Sequence, residues 1–516
     1  MQLVSYGAQD IYISGNPQIT FWKVLYKRHT NFAMENKRVV FNGVPSWGSK
    51  TSAILPRNAD LISKIYLYME LPPYGGQYRG TFTPTSGSAV TNAYSQGWGW
   101  NASTRLGYNL FDYVELEIGG NVIDKQYSQW MQIWLNLSCG YLGKMLTANQ
   151  LAVGHYTQQP RTATNVSSSS SNRDATVGIT YQNNIDTTPY TGMNVYNSSA
   201  IYIPLSFWFT DNPGLALPLI SLQYHEVKLN ILMSPTKVVT SDPGNLINTS
   251  APPASITTTT GTSGTFTNLT LDSGTQTPNG VVPTLLDCAL YVDYVYLDTE
   301  ERRRFAQQSH EYLIEQCQVN DNIILSTAEN VVDLILNHPV KELIWMLQPT
   351  VYTDCGETVV PPTNISVNSK SNINYGPVDF SKPNHMLVPN AFVDILEYAQ
   401  LKLNGQDRFE IRRGEYFSIL QAYQHHTGVG TNIVRMLMGS SGIDDGLTYM
   451  YSFALHPEEH QPSGTCNFSR IDKATFNITL QKAMLLLTGP VKFKLYARNY
   501  NVLRVMSGMA GLAFSN

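Results

Sequence analysis

The sequence is short of charge. Charged residues make up 14% of its 516 positions, where an ordinary soluble domain carries about 25%. The formal net charge is −4, with no long block of either sign. A nucleic-acid binder usually shows a basic footprint, so no specific nucleic-acid partner is expected. The short clusters Lys27-Arg28-His29, Arg302-Arg303-Arg304 and Arg412-Arg413 read as strand ends or interdomain salt-bridge sites. Cysteine is sparse as well. Cys139, Cys288, Cys317, Cys355 and Cys466 are scattered and contain no C-x-x-C pair. That spacing argues against a zinc site and a disulfide framework, leaving free, buried thiols. No run reaches the roughly 18 apolar residues of a membrane span, so no transmembrane segment is expected. Met1 to Asp10 lacks the basic-then-apolar layout of a signal peptide, so the expectation is a soluble chain made in the cytosol.

Catalytic signatures are missing too. There is no G-x-S-x-G elbow, Walker loop, G-x-G-x-x-G turn after a strand, or EF-hand loop. The sharpest lure is His456-Pro457-Glu458-Glu459-His460, which matches the H-x-x-E-H zinc-protease pattern. That pattern works when a helix stacks its ligands on one face. Here Pro462 and Gly464 follow at once, and strand-like runs flank the segment, so it reads as a polar turn. His425-His426 adds no ligands if the pair lies on a strand, where adjacent side chains diverge. No catalytic, cofactor-binding or metal-ligating set is nominated, no cofactor is expected, and the chain reads as a non-enzyme.

What the chain has is apolar and aromatic material: 42% hydrophobic residues, 11% aromatic, and 31 tyrosines. Disorder is thereby excluded. Ile65, Leu67, Met69 and Leu71 alternate with Lys64, Tyr66, Tyr68 and Glu70. Val114, Leu116 and Ile118 do the same around Glu115 and Glu117, and Val491, Phe493, Leu495 and Ala497 around Lys492, Lys494, Tyr496 and Arg498. Period-two alternation makes each run a strand with one face on a core. Helical periodicity is confined to Tyr127 to Leu137 and Asp298 to Gln308. The chain is all-β.

An internal repeat runs through these strands. His29 to Glu35 is echoed from His310 to Glu315, and Ser63 to Leu67 from Val340 to Ile344. Tyr113-Val114-Glu115-Leu116-Glu117-Ile118-Gly119-Gly120 is echoed by Tyr398-Ala399-Gln400-Leu401-Lys402-Leu403-Asn404-Gly405. Leu229 to Ile231 is echoed by Phe476 to Ile478. Four echoes in the same order predict two tandem β domains joined near Asp298 to His310. Polar low-complexity insertions interrupt them at 75–104, 158–200 and 235–284, and such long loops decorate a core rather than build one. Candidate N-glycosylation triplets in the insertions lie at Asn101, Asn165, Asn197, Asn248 and Asn268, with others at Asn136, Asn364, Asn467 and Asn477. A chain this rich in Asn, Ser and Thr generates most of them by chance.

The opening Gly7-Ala8-Gln9-Asp10-Ile11-Tyr12 with Gly15-Asn16-Pro17-Gln18-Ile19-Thr20-Phe21 resembles the start of major capsid proteins of nucleocytoplasmic large DNA viruses. LISLQYHEVKLN from Leu219, ERRRFAQQSHEYLIE from Glu301, LKLNGQDRF from Leu401 and YSFALHPEEHQPSGTCNFSRID from Tyr451 are similar to that family's recurring blocks. In pattern they are nearest its mimivirus-like and algal-virus branches. The resemblance implies a double jelly roll of two tandem eight-stranded antiparallel sandwiches with long loop insertions. It divides the chain into an N-terminal arm at 1–26, jelly roll 1 at 27–298, a linker at 299–310 and jelly roll 2 at 311–516. It further implies a homotrimer with pseudo-hexagonal outline that packs against neighbouring capsomers and minor capsid proteins in an icosahedral virion capsid, assembled in the host cytoplasm. The rival readings are a minor or scaffolding capsid homologue, a glycan-binding jelly-roll protein, and a hydrolase using His456, Glu459 and His460.

Overall fold

The computed structural model describes residues 7–72, 106–138, 199–235, 284–350, 395–428, 448–482 and 489–514, with Leu485 and short strands between 75 and 100 and between 240 and 271. The first half contains β1 (Phe32–Val40), β2 (Lys50–Ile54), β3 (Leu61–Leu71), β4 (Phe111–Ile118), β5 (Asn121–Tyr127), β6 (Ser199–Pro204), β7 (Val227–Met233) and β8 (Asp287–Leu297). The second half contains β9 (His310–Leu325), β10 (Glu329–Leu334), β11 (Pro339–Pro349), β12 (Leu396–Leu403), β13 (Gln406–Asp407), β14 (Thr448–Ser452), β15 (Ala474–Leu480) and β16 (Val491–Met506), and adds β17 (Met509–Leu512).

In the first half, a sheet of order β1-β8-β3-β6 packs on one of order β2-β7-β4-β5. In the second, β9-β16-β11-β14 packs on β10-β15-β12-β13. All of these pairings are antiparallel. Strand for strand the two orders are the same, and each pair of sheets is an eight-stranded jelly roll. The double jelly roll expected from the sequence is therefore the fold.

The echoes fall on equivalent strands. Leu116 pairs with Leu229, and their echoes Leu401 and Phe476 pair with each other. The β4–β5 turn takes positive φ at Gly119 (59°) and Gly120 (86°), and the β12–β13 turn at Asn404 (51°) and Gly405 (80°). Two consecutive left-handed residues define the tight hairpin turn that Gly and Asn favour, which explains why this echo is the clearest. The echo through β3 and β11 is displaced by one residue. Sequence likeness sets Lys64 against Lys341, but the ladders set Lys64 opposite Asp293 and Glu342 opposite Arg498, with Ser63 and Lys341 bulged. A slip of one residue exchanges the faces of a strand, so Lys341 corresponds to Ser63.

Each core is built from the alternating positions. Ile65, Leu67, Met69, Leu116, Leu229 and Ile231 fill the first, and Leu343, Trp345, Leu401, Phe476, Phe493 and Leu495 the second. Two helices lie where helical periodicity is expected: α1 (Ser128–Ser138) directly after β5, and α2 (Thr299–Gln307) between the halves. Arg302 of α2 bonds Asp60 at 3.0 Å, so the basic cluster there is a salt-bridge site. The ends of β9 and β16, with β17, reach into the first core through Ile314, Leu503, Val505 and Ala510. The insertions contain more structure than their composition suggests. Tyr78–Pro84, Val90–Tyr94, Ser255–Thr258 and Gly264–Leu271 form a four-stranded sheet, consistent with the strand preference of their Thr and aromatic residues.

Trp345 is fully buried and touches Phe417, Phe476 and Tyr449, with its indole N–H unpaired. Trp345→Ala is expected to destabilise the protein by about 3–5 kcal/mol. Trp345→Phe, which keeps most of the ring contact and removes the unpaired donor, should cost clearly less. Chemical denaturation of both variants checks the order.

Candidate functional site

The functional geometry of the chain is at its joints and surfaces. Helix α1 has two apolar faces. Met131 turns into the first core, while Trp130, Ile133, Trp134 and Leu137 lie on Ile344 and Met346 of β11, Tyr496 of β16 and Met450 of β14. Trp130 and Trp134 stack at 5.8 Å, and Trp130 meets the Tyr496 ring at 5.5 Å. Gln129 accepts from the Tyr496 hydroxyl at 2.9 Å and donates to Gln348 at 3.1 Å. The outer face of the β9-β16-β11-β14 sheet is thus a second buried face. The alternation of β16 in sequence implies one core face and one polar face, and this packing is why Tyr496 and Arg498 of the polar set are buried.

Charges excluded from the outside collect beside α1. Lys341 is fully buried and its ammonium donates to Glu315 at 2.8 Å and to the Glu459 carbonyl at 3.0 Å. Arg498 pairs with Glu315, lies 4.0 Å from Glu342, donates to the Pro457 carbonyl at 3.3 Å, and stacks over the Trp134 ring at 3.7 Å. The His426 ring bridges Glu342 and Glu458, each at 3.0 Å. Glu458 also accepts from the Thr427 hydroxyl at 2.6 Å and its backbone N–H at 2.9 Å. The Ser138 carbonyl at the end of α1 lies 3.1 Å from the same hydroxyl, whose one proton it shares with Glu458.

Three carboxylates face an ammonium, a guanidinium and an imidazole, and the opposite charges hold the Glu315 and Glu342 carboxyls below, and the His426 imidazole above, their ordinary values. Burial works against the His426 charge, but the Glu342 carboxylate and hydrogen bonds to Glu342 and Glu458 outweigh it, raising the imidazole to about 9. Burial also opposes the Glu315 charge, yet Arg498, His460 and Lys341 bring it down to about 2. Asp124 of β5 differs. It is buried, one oxygen is unpaired and the other accepts from Gln126 at 2.6 Å, so burial raises it to about 7.

The histidine-bearing motifs singled out in the sequence land in this joint. His456 to His460 is a non-helical turn, as expected. Its inner side is engaged: Glu458 holds His426, the Glu459 carbonyl holds Lys341, and His460 stands 3.7 Å from Glu315, while the His456 and Glu459 side chains are exposed. His425 and His426 close a helix rather than lie on a strand, which corrects the expected geometry. No group of His, Cys, Asp or Glu among the described residues is placed to hold a metal. Arg412 pairs with Glu410 at 3.9 Å. Asn467 accepts from the Ser469 N–H, and Asn477 donates to Gln400. Asn165, Asn197 and Asn248 lie outside the described residues, and Asn268 sits in the strand Gly264–Leu271. No motif or spacing signals the Glu315–Lys341–Glu342–Arg498–His426 cluster, since each member sits at an ordinary polar position of a strand or helix end. At the other extreme, the segment from Ile11 to Tyr26 is uncovered, with Tyr12, Ile13, Phe21 and Trp22 almost fully exposed. Contiguous exposed apolar surface marks a contact site.

The folded-state value of His426 lies above its ordinary 6.5. Its ion pairs therefore contribute fully below pH 6.5 and are lost as the pH rises through about 9, a change of about 3 kcal/mol at 1.36 kcal/mol per unit. His426→Gln should flatten the fall in melting temperature over that window. Asp124, also raised, contributes fully below 3.8 and loses its contribution as the pH passes about 7. Asp124→Asn, which never ionises, should raise the melting temperature at pH 8 and change it little at pH 4.

Comparisons agree with this architecture over its whole length. The profile of the major capsid protein N-terminus matches residues 20–298, and that of the large eukaryotic DNA virus major capsid protein matches 301–511. The chain is 39% identical to the major capsid protein of Pyramimonas orientalis virus and 32% identical to that of Paramecium bursaria Chlorella virus 1, in each case over 100% of this chain and 99% of the relative. Among solved structures it superposes on the PBCV-1 virus capsid with a TM-score of 0.63 and 29% identity, covering 96% of this chain and 100% of that one. The Faustovirus major capsid protein shares the fold at a TM-score of 0.63 and 14% identity, over 97% and 95% of the two chains. With both halves matched, the chain belongs to the large eukaryotic DNA virus major capsid protein family.

Proposed function

We propose that three copies of this chain close into a capsomer of pseudo-hexagonal outline, and that capsomers tile an icosahedral shell. The observation that supports it is the repeated strand order. A chain holding two like sandwiches presents two like sides, and three chains present six, which suits hexagonal packing. The chain is a structural component of the virion capsid, like its family, and carries out no catalysis. In this reading 27–298 and 311–516 are the two wall-forming jelly rolls, joined through 299–310. The arm at 1–26 contacts neighbouring capsomers or minor capsid proteins on the inner side, where its exposed Phe21 and Trp22 become covered. The sequons at Asn165, Asn197, Asn248 and Asn268 are the positions at which an outward glycan would be sought. Assembly takes place in the host cytoplasm.

Light scattering of the purified protein is expected to give three chain masses, and electron microscopy of the same fraction a hexagonal outline. Deleting residues 1–26 should leave that particle intact and impair shell formation. A single-chain mass would overturn the capsomer reading, and normal shells from the truncated chain would overturn the role given to the arm.

A further inference from the structure

Equivalence between the halves extends past the strands. Tyr113 and Val114 of β4 pair with Tyr127 and Gln126, and their counterparts Tyr398 and Ala399 of β12 pair with Arg413 and Arg412. Arg413 therefore stands where Tyr127 stands, and the helical segment 414–425 is the counterpart of α1. It runs as a π turn, Tyr416–Leu420, into the α-helix Gln421–His425. Packing agrees: Met131 and Phe417, equally placed after the two ladders, are each buried in their own sandwich core.

The two segments differ in what covers them. In α1, Trp130 and Trp134 are buried on the outer sheet of the other half. On the 414–425 segment, Leu420 is 42% exposed and Tyr423 is 76% exposed. The receiving face is duplicated in the same way. Through the bulge registers, Ile344, Met346 and Tyr496, which receive α1, correspond to Tyr66, Tyr68 and Tyr291. Tyr68, Tyr291 and Tyr202 form one aromatic cluster on the outer face of β1-β8-β3-β6, with ring centroids 5.0 to 6.0 Å apart. Tyr202 is 39% exposed, and Tyr66, Tyr68 and Tyr291 are half-buried.

One helix-on-sheet joint is thus made inside the chain, and an open copy of each of its two surfaces remains. Resting on the trimer reading, we propose that the 414–425 segment of one copy docks on the Tyr66–Tyr68–Tyr202–Tyr291 face of the next. The occupant is a second copy of this chain, because the open helix matches the segment that already covers the equivalent face. Such a contact joins two different patches and so runs head to tail, and it closes when the ring returns to the first copy. The tyrosines are bordered by Glu70 and the Arg38–Asp287 pair, and an aromatic centre with a polar rim is the composition of an interface. In the closed ring, joints within chains alternate with joints between chains.

The full-length protein tests this by light scattering, with a melting curve for each variant. Leu420→Glu combined with Tyr423→Glu removes the helix surface, and Tyr291→Glu removes the sheet surface. Each variant is expected at one chain mass where the wild type gives three. Because each retains the surface the other lacks, an equal mixture should form a two-chain particle and nothing larger. Either variant remaining at three chain masses would overturn the proposal while leaving the trimer standing. A wild type at one chain mass would instead overturn the trimer itself. Two variants with wild-type melting curves that fail to pair would also overturn the docking surface. If Glu lowers the melting temperature, Leu420→Ser with Tyr202→Ser is read by the same masses.

Discussion

The seating of α1 on the outer sheet of the second half fixes how the two halves of this molecule sit against each other, and Arg498 closes its edge. Its guanidinium reaches Glu315 of β9, approaches Glu342 of β11, bonds the Pro457 carbonyl and stacks on Trp134 of the first half. A buried cation is tolerated only where several such partners meet it at once; here the second half supplies the carboxylates and the carbonyl, and the first half adds the Trp134 ring. An apolar contact such as Trp130 on Tyr496 supplies adhesion over a range of small slides. The directional hydrogen bonds across the joint, from Gln129 to Tyr496 and Gln348 and between Thr427 and Ser138, narrow that range. For a wall built from repeated units, a fixed angle within each chain matters as much as the strength of the joint, because angular error accumulates around a shell.

Much of the fold is legible in the sequence because the core faces obey period two. Ile65, Leu67 and Met69 alternate against polar neighbours, as do Val114, Leu116 and Ile118, and each set is buried as expected. The duplication is legible through Gly119-Gly120 and Asn404-Gly405, since a tight hairpin admits few residue pairs. The lysine in β3 and β11 misleads by one position because identity carries no sign of the bulge. The joint is not legible. Glu315, Lys341 and Arg498 lie far apart in the chain, and a strand's polar position reads the same whether water or another domain covers it. His425-His426 reads as strand for want of helical periodicity, and the π turn before it explains that want, since it breaks the regular spacing.

The scarcity of charge takes its meaning from this arrangement. At a joint buried within one chain, charges are tolerated only as a closed set, and here they form one. On faces that meet other copies after folding, each exposed charge would have to be desolvated during assembly. Tyrosine avoids that cost, offering apolar area with a hydroxyl that stays wet until contact. The outer face of β1-β8-β3-β6 carries tyrosines where the equivalent face of the second half carries isoleucine, methionine and a buried tyrosine.

That difference orders the steps of building. The within-chain joint, apolar and hydrogen-bonded, shares elements with the cores: Met131 of its helix belongs to the first core, and the ends of β9 and β16 are common to both halves. It forms as part of folding. Tyr66, Tyr68 and Tyr291 stay half-buried and compatible with water in the separate chain, so their side of the molecule can wait for a partner without driving collapse. A chain whose two equivalent faces were equally greasy would have no means of telling its own helix from a neighbour's. Making one face apolar and ionic and the other aromatic and polar lets a single fold be used twice, first as a domain contact and then as a subunit contact.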